Sequence, residues 1–408
     1  MTKKEILFIS PFVPYDKVPH AGGKIHNYCL KQFQSDDEFN IKLISIAEEN
    51  EIQKVDLDQY NINYDIAIKK MDFIERAKRG LLNFSSKFNP YDKTGGMVSG
   101  YIKKTIINKI KKLSNLGYIP DIIILEWTEV ALLVTEVKKI FPNAKTVLIE
   151  HDVTFLGYQR KYQIEESKVK RYVKKVKFKN EYDSELKSLL EGDLVLTFNY
   201  KDRDILVSNG ISKNKVHVIP PFFMNLNMVH KKNNSKQLLF FGAMSRVENY
   251  DSCIWFIENV FNKLLSIDKE FTFVICGGNP NKKLLKYASE NIIITGYVDS
   301  VEEYFRNSMC LVAPLLLGAG IKIKILEGLS SGIPVLTNEI GIEGIPAQDG
   351  KEYIHCQTPE DYINAIIKIR DEEINTELIR NNALLLMDEK FNLSNGYDKY
   401  KAILNSII

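Results

Sequence analysis

Short apolar runs bounded by glycine and polar residues alternate along this chain with stretches whose apolar positions recur every three or four residues. That is the pattern of strands alternating with helices. In the first half it predicts strands at Glu5–Ser10, Phe39–Ile46, Tyr64–Ile68, Asp121–Leu125, Lys145–Ile149 and Asp193–Phe198. Residues 216–219 run into Pro220-Pro221, and the stretch 225–236, rich in Asn and Lys, reads as an exposed linker. The alternation then restarts. Strands are predicted at Gln237–Phe241, Phe271–Cys276, Ile292–Thr295, Met309–Ala313 and Pro334–Thr337, with helices beginning near Glu248, Lys282, Ser300, Ile321 and Thr358. The last has a full start signal, Thr358 before Pro359, Glu360 and Asp361. Two more helices, Thr376–Met387 and Ser394–Ile408, complete the chain. The expected class is α/β, with two parallel, doubly wound sheets. The expected division is 1–218, 219–390 and a final helix, 391–408, that crosses back to the first domain.

Composition narrows the class without changing it. A chain of 408 residues with 45% hydrophobic and 26% charged residues has the make-up of a globular protein of two or three domains. A formal net charge of +3 is too small for general nucleic-acid binding. The apolar run Ile6–Ile9 is too short for a signal sequence, and no run of about 18 apolar residues occurs, so a cytoplasmic location is expected. The five cysteines, Cys29, Cys253, Cys276, Cys310 and Cys356, are widely spaced in apolar stretches and read as reduced core residues.

Two segments are basic and amphipathic. Residues 69–112 interleave twelve basic residues, from Lys69 to Lys112, with apolar residues, and Lys168–Lys179 holds seven basic residues and no acid. Such segments suit the surface of an anionic membrane and equally a solvated helix face.

Candidate chemistry gathers where each sheet type binds ligands, beyond the carboxyl ends of its strands. Residues 314–332, PLLLGAGIKIKILEGLSSG, predict a strand end, a loop with Gly318 and Gly320, and a helix over Ile321–Ser331. Backbone N–H groups and the helix dipole at such a loop attract an anion. Lys324 and Glu327, three apart, then share one helix face, the lysine nearer a diphosphate and the carboxylate nearer ribose hydroxyls. Gly242 and Arg246 follow the first strand of this half, and Gly277 and Gly278 follow the second. Arg246 offers planar paired donors to phosphate. In the first half, Gly22 and Gly23 open a helix after strand one, and His151 and Asp152 follow the strand ending at Ile149. Trp127, in EWTEV, suits a pocket wall or plain packing. Asp202-Arg203-Asp204 falls at a helix start and reads as surface charge, so no Asp-x-Asp metal motif stands where a diphosphate needs one.

The succession PFVP and GG near the start, EHDV, FFGAMSRVEN, GYVDSVEEYF and PLLLGAGIKIKILEGLSSGIPVLTNEIGIEG resembles the GT-B glycosyltransferases of the large retaining family 4, group-one type. The resemblance runs over nearly the whole chain and is most specific over Leu239–Gly344. It implies two Rossmann-like domains facing a central cleft, with the nucleotide-sugar donor mostly on the second and the acceptor on the first. Gly22 and Gly23 would approach the donor diphosphate, His151 the transferred sugar, Arg246 and Lys324 the phosphate charge, and Glu327 the ribose. Gly242, Gly277, Gly318, Ala319, Gly320 and Ile321 would line the donor site, with Val298 against the base. Two positions depart from the family pattern: Ala319 stands where the first glutamate of E-x7-E is usual, and Asp251 where a lysine often follows the arginine. The implied activity is a retaining, metal-independent hexosyltransferase using a UDP- or GDP-sugar and a glycan or lipid-linked acceptor, with no cofactor. A nucleotide-sugar epimerase and a catalytically silent partner of another transferase are the alternatives.

Overall fold

The computed structural model describes residues 3–16, 18, 21–70, 73–87, 98–221, 235–318 and 320–407. Ala319, most of the 225–236 linker and parts of the basic segment 69–112 lie outside them. The chain forms two compact units, one of residues 1–221 with 396–408 and the other of residues 222–395.

Among the described residues, the first unit has seven strands, β1 (Lys4–Ile9), β2 (Phe39–Glu48), β3 (Asn63–Lys69), β4 (Ile122–Glu126), β5 (Lys145–Glu150), β6 (Leu194–Thr197) and β7 (Val216–Val218). Their order in the sheet is β3-β2-β1-β4-β5-β6-β7, and every recorded pairing is parallel. The inner strands are apolar throughout because helices cover both faces: Ile6, Leu7, Phe8 and Ile9, and likewise Ile122 through Leu125, are 0% exposed. The helix Leu393–Asn405 belongs to this unit from Gly396 onward. Its Tyr397 and Tyr400 rings meet Phe33 edge-on at 5.1 and 5.0 Å, and Lys401 Nζ and Tyr397 Oη donate to Asp36 at 2.7 and 2.8 Å. An aromatic seam with a charge clip at its rim thus holds the chain's end against the first unit.

The second unit has, among its described residues, six strands, β8 (Gln237–Phe241), β9 (Thr272–Cys276), β10 (Ile292–Gly296), β11 (Cys310–Ala313), β12 (Val335–Thr337) and β13 (Ile354–His355). The order is β10-β9-β8-β11-β12-β13, again parallel throughout. Phe240, Phe256, Phe261 and Phe273 fill the core on one face, and Leu311, Leu326, Leu329 and Met387 fill the other. The helix Pro359–Arg370 starts with the capping box its sequence announces, Thr358 and Asp361 bonding each other's backbone N–H. All five cysteines are buried and unbridged.

Each sheet has one place where the strand order reverses, between β1 and β4 in the first unit and between β8 and β11 in the second. The loops leaving those neighbouring strands diverge to opposite faces and open a crevice at the carboxyl ends. Most of the described predicted site residues fall at or beside these two places, and Val298 lies farther out, after the edge strand β10.

Candidate functional site

In the second unit the reversal point is assembled by three loops. After β8 the backbone turns at Gly242, and after β9 it turns at Gly277; the two pack so closely that a side chain on Gly277 would overlap the Gly242 carbonyl oxygen. Gly242 N–H donates to Cys276 O at 3.0 Å and Gly277 N–H to Gly296 O at 3.0 Å, which stitches the three strand ends together. A side chain on Gly242 would begin 3.0 Å from Lys324 Nζ and 2.9 Å from Asn249 Nδ2. The missing Cβ is what lets the lysine reach this turn.

Lys324 lies partly buried, donating to Asn249 Oδ1 and standing 4.4 Å from the centre of the Phe240 ring. Asn249 is fixed in turn by its Nδ2, which donates to Ala243 O at 2.9 Å. Burial, with the like charges of Arg246 and Lys322 adding to it, brings the Lys324 ammonium down to about 8. A cation so desolvated, with a neutral amide for its hydrogen-bond partner, is stabilised by any anion that reaches it.

The helix that carries Lys324 begins at Ile323, not Ile321, with Lys322 in extended backbone before it. The reason is Lys322 itself. Its Nζ bonds back to Gly320 O and pairs with Glu343 Oε2 at 3.2 Å, and its side chain lies against the bare Cα of Gly318. A buried ion pair therefore pins the backbone at Gly320–Lys322 before the helix, and Ile321 precedes the helix instead of starting it. Gly320 takes φ 66°, a conformation costly for any other residue. Glu327 is buried four residues into the helix, on the side of Lys324. Arg246 caps the helix Val247–Phe256 with its guanidinium exposed, Nε 3.7 Å from Glu248 Oε2. Val298 lies partly buried in the loop after β10.

In the first unit the structure brings Gly22 and His151 together, and adds three residues that the motifs did not single out for this role. Gly22 and Gly23 lie in the first turn of the helix Ala21–Ser35. A side chain on Gly22 would begin 2.9 Å from His151 Nδ1 and 3.0 Å from Trp127 Cζ2. Trp127 stacks on His151 with ring centres 4.3 Å apart and planes 6° from parallel, and it holds φ 70°, a strained backbone for an aromatic residue. Glu126, ending β4, meets both imidazoles: Oε2 lies 3.0 Å from His151 Nε2, and Oε1 lies 3.2 Å from His26 Nδ1. Burial alone would raise the Glu126 carboxyl. The two imidazoles that face it, His26 at its inner oxygen and His151 hydrogen-bonded to the other, outweigh it and hold the group at about 2.

The sequence did carry a signal for Glu126. DIIILE is an apolar run closed by a carboxylate at the strand's ligand-binding end, and such a charge needs buried partners. His26 sits among Ile25, Cys29 and Phe33 on the core side of its helix, where nothing in the spacing marks it as polar machinery. A second expectation is overturned. Asp202 is not surface charge: it is 1% exposed and accepts from Asn199 Nδ2 at 2.7 Å, because Asn199 caps that helix and draws the carboxylate inward.

The crowding around Gly22 makes a direct prediction. Gly22→Ala should push His151 and Trp127 apart by a few tenths of an ångström, costing about 1 kcal/mol of stability and roughly tenfold in any activity that uses His151. Thermal unfolding and turnover measured on the same preparation check both.

Two all-parallel α/β units, each with its glycine loops at the reversal point, define the GT-B class of glycosyltransferase folds, and solved structures of that class cover the chain end to end. Anabaena HepE in complex with UDP-glucose matches with a TM-score of 0.69 at 11% identity, over 98% of this chain and 99% of that one. Sucrose-phosphate synthase from Thermosynechococcus elongatus matches with a TM-score of 0.72 at 12% identity, over 99% of each. A variant of S. aureus TarM in complex with fondaparinux, alpha-GlcNAc-glycerol and UDP matches with a TM-score of 0.65 at 12% identity, over 98% of this chain and 100% of that one. At these identities the likeness is one of fold. Residues 235–372, most of the second unit, match the family of glycosyl transferases group 1. Among curated proteins, an uncharacterized 44.6 kDa protein in the cps region of Klebsiella pneumoniae is 26% identical over 169 residues, 39% of this chain and 42% of that protein. A 41.2 kDa protein of the same region is 26% identical over 161 residues, 36% of this chain and 43% of its own length.

Proposed function

We propose that this protein is a retaining, metal-independent glycosyltransferase that moves a hexose from a UDP- or GDP-sugar to a glycan or lipid-linked acceptor in cell-surface polysaccharide assembly. The observation that carries the reading is Lys324, a desolvated cation set beside the bare Gly242 turn, in the first turn of the helix that follows Gly320. That combination suits a diphosphate: loop amides take its oxygens, Lys324 and Arg246 take its charge, and Glu327 accepts from the ribose. In the first unit, Gly22 and Gly23 serve the donor diphosphate and His151 the transferred sugar. The matched group 1 model, the UDP-glucose complex of HepE and the cps-region relatives support donor class and setting.

In the reaction so proposed, the acceptor hydroxyl bonds to the sugar's C1 on the face from which the phosphate departs. The C1–O bond to phosphate breaks with its electron pair on the leaving diphosphate. The hydroxyl proton passes to that same phosphate oxygen, so no protein nucleophile is needed. The positive groups stabilise the charge that grows on the leaving group, and no metal is assigned to that task. A hydrolysis screen over commercial nucleotide sugars tests the reading, since slow donor hydrolysis without acceptor identifies the donor. Turnover of none, with and without a total-lipid acceptor extract, would refute it.

The acceptor partner is placed at the inner face of the cell membrane, with the protein bound peripherally. No helix among the described residues is long and apolar enough to cross a membrane. The helix Lys168–Glu191 supports a surface contact instead. Val169, Tyr172, Val173 and Val176 stand 76, 70, 50 and 43% exposed at helical spacing, flanked by Lys168, Lys170, Lys175 and Lys177. An exposed apolar stripe with cations on both sides fits an anionic interface. Replacing Lys170 and Lys177 by Gln should weaken sedimentation with phosphatidylserine vesicles by about 2 kcal/mol, roughly 30-fold at low salt, and leave neutral vesicles unaffected.

A further inference from the structure

We propose that Glu126 is a positioning residue: by accepting from His151 Nε2–H it fixes the ring's tautomer and turns Nδ1 toward the bare edge of Gly22, where the donor sugar is received. This inference rests on the donor-sugar role given to His151 above.

The geometry comes from a strand end with a charge on it. Glu126 closes β4 with its side chain 4% exposed, and each of its oxygens faces a different imidazole, His151 at 3.0 Å and His26 at 3.2 Å. An ionised carboxylate only accepts, so the nitrogen facing it must carry the proton. For His151 that nitrogen is Nε2, which leaves Nδ1 as the atom presented elsewhere. Nδ1 is the His151 atom nearest to where a Gly22 side chain would begin. The ring cannot swing away. Trp127 stacks on one face, and Phe198 meets it edge-on with centres 4.9 Å apart.

Exposure grades through the trio in the same sense. The His26 side chain is 0% exposed, Glu126 4% and His151 12%, so the outer imidazole alone opens toward a ligand. The inner imidazole offsets part of the cost of burying the carboxylate, and the carboxylate orients the outer imidazole. His151 held this way, its Nε2–H on the carboxylate, accepts a hydrogen bond at Nδ1 from a sugar hydroxyl. Were the ring turned over, it would offer N–H there instead, and the hydroxyl would have to rotate or withdraw.

The test uses the full chain labelled with 15N-histidine. Its six histidines are few enough to resolve, and His151→Gln assigns the resonance of interest. Two-bond 15N–1H correlations should show wild-type His151 as the Nε2–H tautomer, and a mixture of tautomers in Glu126→Gln, whose amide can donate or accept. Wild-type His151 in the Nδ1–H form would overturn the proposal whether or not the variant folds. With the donor found by the hydrolysis screen, Glu126→Gln should lose on the order of 100-fold in kcat while KM for donor stays within about twofold. Unchanged kcat in a folded variant would sink the positioning role and leave the transferase reading standing. If wild type turns over no nucleotide sugar, that reading falls, and the tautomer measurement still decides the orientation.

Discussion

Lys324→Met should abolish transfer, lowering turnover by about 10³-fold, while the protein becomes at least as stable as wild type at pH 7. The two effects share one cause. The ammonium is held at about 8 by burial, so keeping it charged at neutral pH costs about 3 kcal/mol, and methionine of similar length removes that cost. The sign of the pH dependence follows. Unfolded, the lysine titrates near its ordinary 10.5; folded and empty, it releases its proton near 8. Between those values the unfolded state holds more protons, so stability of the ligand-free protein rises with pH across that window. A diphosphate beside Nζ restores the charged form. UDP binding should therefore take up protons above pH 8, with affinity falling as pH rises, and neither effect should occur in the methionine variant. Calorimetry in buffers of different ionisation enthalpy reads the proton directly.

Gly277→Ala should destabilise the second unit by at least about 3 kcal/mol, whereas Gly278→Ala next to it should stay within about 1 kcal/mol. The added methyl at Gly277 would run into the Gly242 carbonyl oxygen, a backbone atom tied by the adjacent N–H to Cys276, so neither side can give way cheaply. At Gly278 the nearest atoms belong to Tyr297, at 3.7 Å, an ordinary contact. Urea unfolding of the two variants separates a close backbone approach from mere loop flexibility. Any Gly277→Ala protein that does fold should bind UDP weakly, because displacing Gly242 moves the wall against which Lys324 rests.

The strands and most helices were legible because parallel sheets buried on both faces leave continuous apolar runs, and glycines mark the loops that approach a ligand. Gly22 with His151, and Gly242 with Lys324, were each predicted to serve one ligand, and each pair meets in the structure. What stayed hidden was the support behind them. Glu126 and His26 are 25 and more positions from His151's segment, and only the β1/β4/β5 order brings them together. Asn249, which holds Lys324, sits in a helix turn with no distinguishing spacing. The late helix start at Ile323 was hidden for a related reason. A pairing of Lys322 with Glu343, 21 positions on, overrides the local preference of IKIKILEGL for helix.

The central assignment, a nucleotide diphosphate gripped at the β8/β11 reversal of the second unit, is tested most directly by a crystal structure of the protein with UDP, and in parallel with GDP. The account predicts phosphate oxygens within hydrogen-bond distance of Lys324 Nζ and of backbone amides in residues 318–322, with the ribose hydroxyls on Glu327. Nucleotide bound elsewhere on the chain, or Lys324 still on Asn249 with no phosphate beside it at saturating nucleotide, would contradict it.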